Sequence, residues 1–282
     1  MKTRRERNTL FLLPMFKHWL LHMGRVQVMA IVLSVVIFLL AIRTGANSDV
    51  ASLELREAAQ VTVMVNRQKY TFVSTLANQS HQVLLRVPAF SQLPELHNGC
   101  EVTSLSMLLS DTGKYVPKTT LATAIQKDTT PLTLNRNGQI ARWGNPDYGF
   151  VGSVSGNAPG YGVYHRPIAE LLNKIEPGQA LDLTGSSFEK VLSMVASGRP
   201  VIVWTTLDFA PVKSWVTWQS PEGMVRATMY EHTVLLVGFD KTHLFVNNPL
   251  TGIQAESVPI GPFRESWIQM GRQAVTVKNK KV

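Results

Sequence analysis

Cys100 is the single cysteine among 282 residues, set in LHNGCEVTSLSMLL (Leu96 to Leu109) directly after Asn98-Gly99. Val102, Leu105, Leu108 and Leu109 follow at spacings of three and four, which predicts a helix with one apolar stripe, beginning at Cys100 and ending near Asp111-Thr112-Gly113. Unpaired N–H groups and the dipole at a helix start favour an anion, so a thiolate nucleophile is the chemistry to expect there. The competing reading is a small apolar residue in a core, since a lone thiol has no partner for an intrachain disulfide.

A thiolate nucleophile needs a base within hydrogen-bond reach. Of seven histidines, His18 and His22 fall in a basic N-terminal segment, His97 is too close in sequence to Cys100, and His81, His165 and His243 carry no supporting pattern. His232 does: it heads an apolar run in MYEHTVLLVGFDKTHLFVNNPLTG. A hairpin turn centred on Asp240 would set His232 opposite Asn248; a two-residue turn at Lys241-Thr242 would shift the register by three residues and spoil the pair. Side chains alternate faces, so Asn247 and Asn248 cannot both face His232, and Asn248, before Pro249, is the expected partner. Its amide would fix the imidazole tautomer, completing a Cys-His-Asn set. Gln92, eight residues before Cys100, could pair its amide with the Cys100 N–H to hold an oxyanion. Taken singly, each residue also has an ordinary use as a strand-end histidine, a pre-proline turn or a loop glutamine.

These groups need a scaffold. Helices are expected at Thr119–Ile125, Pro167–Ile175 and Ser187–Ala196, and strands at Val201–Trp204, Thr233–Phe239, Leu244–Val246 and Ala274–Val277. Helices first and strands later describe an α+β domain. Asn135–Tyr164 is rich in Gly, Asn and Pro without a period, which points to a binding loop. Within it Gly160 and Gly162 would let a substrate backbone approach, flanked by Tyr161 and Tyr164; plain loop packing explains the tyrosines equally well.

Val26–Ile42 is a seventeen-residue run without charge, preceded by six basic residues and one acid in 1–25. This reads as an uncleaved signal-anchor in preference to a removed signal that would leave the protein secreted, with 1–25 cytoplasmic, 26–42 in the membrane, 43–82 a stalk or embellishment, 83–277 the catalytic domain outside the membrane and 278–282 a basic tail. The formal charge of +9 falls to +4 without residues 1–25, so the excess belongs largely to topology and gives no case for nucleic acid. No metal-ligand spacing or phosphate loop stands out, and no cofactor is expected.

The blocks VPAFSQLPELHNGCEVTSLSMLL, GNPDYGFVGSVSGNAPGYGVY, RPVIVWTT, HTVLLVGFD, VNNPLTG and ESWIQMGRQAV resemble the secreted bacterial branch of the bacteriocin-processing (double-glycine) type cysteine peptidases, from about Val83 to Val277. The resemblance implies a papain-like fold, a helical part with the Cys and a twisted antiparallel sheet with the His. It implies Cys100 as nucleophile, His232 as base and Gln92 as oxyanion glutamine, acting on a peptide or protein. Asn248 stands where that branch usually has Asp, as papain has Asn. An amide lacks the charge with which a carboxylate steadies imidazolium. Two alternatives remain: an amidase or acyl transferase acting on cell-wall peptides, and a tethered binding module without turnover.

Overall fold

The computed structural model describes residues 82–279, inside one compact unit, Gln79–Val282. The expected cytoplasmic segment, signal-anchor and nearly all of the stalk lie outside the described residues. Among the described residues no helix is long and apolar enough to cross a membrane.

In chain order the elements are β1 (Val83–Leu84), α1 (Cys100–Asp111), α2 (Lys118–Ala124), β2 (Lys127–Asp128), β3 (Thr133–Leu134), β4 (Ile140–Arg142), β5 (Phe150–Gly152), β6 (Gly160–Gly162) and α3 (His165–Ile175). They continue with β7 (Ala180–Asp182), α4 (Phe188–Ala196), β8 (Val201–Thr206), β9 (Val216–Ser220), β10 (Gly223–Ala227), β11 (Glu231–Phe239), β12 (His243–Asn247), β13 (Glu256–Pro259), α5 (Ile260–Gln269) and β14 (Ala274–Val277). The class is α+β.

A seven-stranded antiparallel sheet runs β13-β12-β11-β8-β14-β7, with β1 added to β11. Because strand side chains alternate, its two faces feed two cores. Trp204, Leu235 and Val237 pack with Leu105, Leu108 and Leu109 of α1 and with α2 and α3. Val203, Val234 and Leu236 pack with Phe188 and Val191 of α4 and with Phe263 and Trp267 of α5. Two small sheets, β10-β9-β4-β3 and β2-β5-β6, enclose a third cluster of Trp143, Tyr161 and Trp218.

Three expectations are corrected. Helix α1 is buried all round from Cys100 to Leu109 rather than along one stripe. It lies between the sheet and α2, α3 and β6, and two of its serines find internal partners: Ser106 Oγ donates to Val116 O at 2.6 Å and Ser104 Oγ to Thr233 O at 3.4 Å. The 135–164 stretch carries β4, β5 and β6, strands of three residues each, too short to show a period. The β11–β12 register also differs. Leu235 pairs with Asn247 and Phe239 with Leu244, with an irregularity between Leu236 and Gly238. That places the turn nearer Lys241-Thr242 than Asp240, so His232 and Asn248 are not opposite. The β9–β10 hairpin and α5 are additional elements that the sequence pattern did not reveal.

Candidate active site

Gly99 immediately precedes helix α1, where a side chain would not fit: a Cβ at 99 would come within 2.5 Å of Leu96 Cβ. Its first turn covers the open edge of β11. Pairing with β12 begins only at Leu235, so the backbone groups of Thr233, which point to that side, lack a strand partner. Helix α1 supplies one instead: Ser104 Oγ donates to Thr233 O at 3.4 Å, and the Thr233 backbone N–H hydrogen-bonds the Cys100 sulfur. The sulfur therefore sits against the residue that follows His232.

His232 itself points to the other face of β11. Its register partner on β8 is Thr205, whose hydroxyl bonds Ser266 of α5, and its ring lies 6.3 Å from that of Phe209. Its Nε2 meets Asn248 Oδ1 at 2.9 Å. Asn248 achieves this from just beyond the end of β12, reaching diagonally rather than straight across. Its amide orientation is fixed by its other partners: Oδ1 accepts from Leu250 N–H at 3.0 Å, and Nδ2 donates to Glu256 Oε2 at 2.8 Å. An acceptor oxygen at Nε2 requires that nitrogen to carry the hydrogen, so the basic nitrogen of the neutral ring is Nδ1. Burial lowers the His232 pKa, against the Asn248 hydrogen bond and the charge of Glu256, and the ring is neutral at pH 7. Asn247 instead ties β1's extension to β12: its amide donates to Val87 O at 2.9 Å and accepts from Ala255 N–H at 3.0 Å.

The thiol departs from expectation. Cys100 is 7% exposed, and its pKa is raised well above the ordinary thiol value by burial first, then by the charges of Glu101 and Glu231, with the Thr233 N–H opposing. Desolvation and two carboxyls thus outweigh the helix dipole, and the resting sulfur is a protonated thiol. No hydrogen bond joins it to the His232 ring among the described residues. Glu101 and Glu231 are buried at 0% and 9% exposure. Glu101 Oε1 accepts from Val163 N–H at 2.6 Å, and Glu231 Oε1 accepts from Thr233 Oγ1 at 2.9 Å. Burial pushes Glu101 up to about 7, and burial together with Glu101 raises Glu231 well above its usual range. Two such carboxyls side by side hold a proton between them at neutral pH. Donor atoms of Cys100, Glu101 and Glu231 lie within 4.8 Å of one another.

Gln92 is 3% exposed and held by its backbone: its N–H donates to Pro249 O at 2.7 Å, and Lys118 Nζ, at the start of α2, donates to Gln92 O at 3.0 Å. Its side-chain Nε2 donates to His97 O at 2.8 Å, leaving one amide hydrogen uncommitted and Oε1 buried without a partner. The glycines of β6 serve internal packing. A Cβ on Gly160 would stand 2.2 Å from Ser153 O, and one on Gly162 would stand 2.3 Å from Glu101 Oε1. Tyr161 is buried against Trp218, with its hydroxyl 2.7 Å from that of Tyr164. The remaining described histidines are engaged elsewhere: His97 with Ser155 O, His165 with Asp182 and His243 with Thr242.

Glu101, Glu231 and Glu256 are the residues that sequence reasoning missed. Glu101 and Glu231 adjoin Cys100 and His232 in the chain, and a charged residue next to each of them, at the border of an apolar run, was the available signal. Glu256 offered none, because only the β12–β13 pairing of Val246 with Glu256 brings it to Asn248.

Residues 84–275 match the model of the Peptidase_C39 like family. The uncharacterized protein YvpB of Bacillus subtilis (strain 168) is 40% identical over 185 residues, covering 66% of this chain and 71% of YvpB. A crystal structure described as that of a C39-like peptidase from Bacillus anthracis superposes with a TM-score of 0.64 at 40% identity, covering 71% of this chain and all of the other. A cysteine-led central helix, an antiparallel sheet bearing His232 and a family match spanning nearly all of the described domain lead to one conclusion: the chain belongs to the Peptidase_C39 like family, cysteine peptidase-like proteins of papain-like fold.

Proposed function

We propose that this protein is a cysteine peptidase in which Cys100 is the nucleophile, His232 the base, Asn248 its orienting partner and Gln92 an oxyanion donor. The observation that carries the reading is the 2.9 Å contact of His232 Nε2 with Asn248 Oδ1, which leaves Nδ1 as the basic nitrogen of the ring, while the Cys100 sulfur lies against the backbone of the next residue, Thr233. In this reading the sulfur turns from the carboxyl pair toward the ring, and Nδ1 takes the thiol proton. The thiolate attacks a peptide carbonyl carbon, and the Cys100 N–H and the uncommitted Gln92 amide hydrogen hold the resulting oxyanion. Imidazolium returns the proton to the departing amine, leaving a thioester. Water, deprotonated by the same nitrogen, then hydrolyses that thioester and frees the thiol.

The deciding experiment offers the purified full-length chain a fluorogenic peptide library. Turnover that disappears in Cys100→Ser is the expected result; turnover that persists in that variant removes Cys100 as nucleophile. Muropeptides offered in parallel separate a peptidase from an amidase or acyl transferase on cell-wall peptides, which would share the acyl-enzyme.

A tethered, non-catalytic module is the second reading, and one observation favours it: the buried Cys100 sulfur lies beside the carboxyls of Glu101 and Glu231 and makes no hydrogen bond to the imidazole. Cells carrying Cys100→Ala with an undiminished phenotype would select it. The residue pattern at 26–42 supports a single-pass anchor with the domain outside the bacterial membrane. Protease digestion of intact cells that spares the domain would overturn that placement.

A further inference from the structure

Asn248 has no charge with which to steady an imidazolium, yet the residue it grips from its other end does. Glu256, the first residue of β13, is placed by its pairing with Val246 of β12 and accepts from Asn248 Nδ2 at 2.8 Å. Thr251 Oγ1, at 3.4 Å, lies on the same carboxylate oxygen. The chain of contacts is therefore imidazole, amide, carboxylate, with every hydrogen assigned: Nε2–H to Oδ1, then Nδ2–H to Oε2. We propose that Glu256 is the charge-bearing positioning residue of the site, completing a His232–Asn248–Glu256 relay in which the negative charge stands one residue further from the ring than in a His–Asp pair.

The proposal deepens the peptidase reading and rests on it for its consequence, but the relay can be tested without it. When Nδ1 takes a proton the ring becomes cationic, Nε2–H remains on Asn248, and no proton passes along the relay. Glu256 acts through its field and by holding the amide in the one orientation that presents Oδ1 to the ring. The other groups around the imidazole do not supply that field. Phe209 and the Thr205–Ser266 pair are uncharged, and the Cys100 thiol, Glu101 and Glu231 gather on the opposite face of β11. The same geometry explains why position 248 is an amide. A carboxylate there would stand at hydrogen-bond distance from the Glu256 carboxylate with no hydrogen between them, and like charges so close cannot both ionise without cost.

The test titrates His232 by NMR of histidine-labelled full-length protein, with His232→Gln used to assign the signal. In Glu256→Gln the amide can still accept from Asn248 Nδ2, so the shape is kept and only the charge is lost. The His232 pKa is expected to fall by about one unit, the size of a single charge acting through one intervening group in a medium between water and protein. The exchange Asn248→Asp with Glu256→Gln moves the charge next to the ring and restores the pKa to at least its wild-type value. Asn248→Asp alone does less than the exchange, because its two carboxyls share a proton. An unchanged ring pKa in Glu256→Gln, or an exchange that titrates like Glu256→Gln, overturns the relay. A shifted ring in a protein that cleaves no peptide keeps the relay and removes the peptidase reading. Cleavage with an unshifted ring does the reverse.

Discussion

Glu231 and His232 are consecutive in the chain and face opposite sides of the same strand, Glu231 toward the Cys100 sulfur and Glu101, His232 toward Asn248 and Phe209. The thiol in its resting position is thus neighboured by a carboxyl pair, while the base is prepared on the far face by an amide. Four consequences can be measured.

The thiol should be slow to alkylate. With burial and two carboxyls raising its pKa, iodoacetamide modification of Cys100 at pH 7 is expected to be far slower than that of a free cysteine, rising only in strong alkali. Glu101→Gln and Glu231→Gln each remove a carboxyl that opposes ionisation of the sulfur, so each should move the rise to lower pH. Mass spectrometry of the modified peptide against pH reads this directly; a wild-type profile like that of free cysteine contradicts the buried, carboxyl-faced thiol.

Stability should carry the mark of Glu101. Its carboxyl has an ordinary value of 4.5 and is pushed up to about 7 in the fold, so the native state binds more protons than the unfolded chain between those values. A group raised in this way contributes stability that is fully present below about pH 4.5 and is lost as pH rises through about 7. Asp128, Asp182 and Asp240 are lowered by their hydrogen bonds and contribute in the opposite sense, losing stability as acid is added. The Glu101 share is isolated by comparison: Glu101→Gln should gain on the wild type in urea denaturation as pH is raised from 4.5 to 8. Parallel curves for the two proteins would show that the Glu101 carboxyl titrates normally.

Gly162 cannot be replaced quietly. Its φ is +145°, and an added Cβ would meet Glu101 Oε1. Gly162→Ala should cost about 1–3 kcal/mol through backbone strain, with a further loss if the Glu101–Val163 hydrogen bond breaks. Thermal melting checks it, and a melting temperature equal to that of the wild type would count against the close packing of β6 on the carboxyl pair.

The two adjacent asparagines should separate stability from chemistry. Asn247→Ala removes buried hydrogen bonds to Val87 O and from Ala255 N–H and should cost about 2 kcal/mol. Asn248→Ala frees the His232 ring, so peptide turnover should fall by about 10²-fold or more with a smaller change in melting temperature. The opposite pattern would exchange their roles.

Much of this site can be read from the chain alone because local chemistry marks it. A lone cysteine after Asn-Gly at the head of an apolar 3–4 pattern sets the start of α1, and His232 at the head of a β-branched run sets β11. Asn248 is the partner that a hairpin centred on Asp240 predicts, but it arrives by a different geometry. The actual register shifts away from the one that would set it opposite His232, and the contact survives because Asn248 lies past the end of β12, free to reach diagonally.

What only the tertiary structure decides is electrostatic. Helix-start logic favours a thiolate at Cys100, but burial, the neighbouring Glu101 carboxyl and the arrival of Glu231 from 131 residues away in the chain reverse that preference. Glu256 likewise reaches Asn248 only through the β12–β13 pairing. Periodicity and turn residues determine the elements, because they act over a few neighbouring residues. Protonation states depend on which charges share a low-dielectric space, and folding alone brings those charges together.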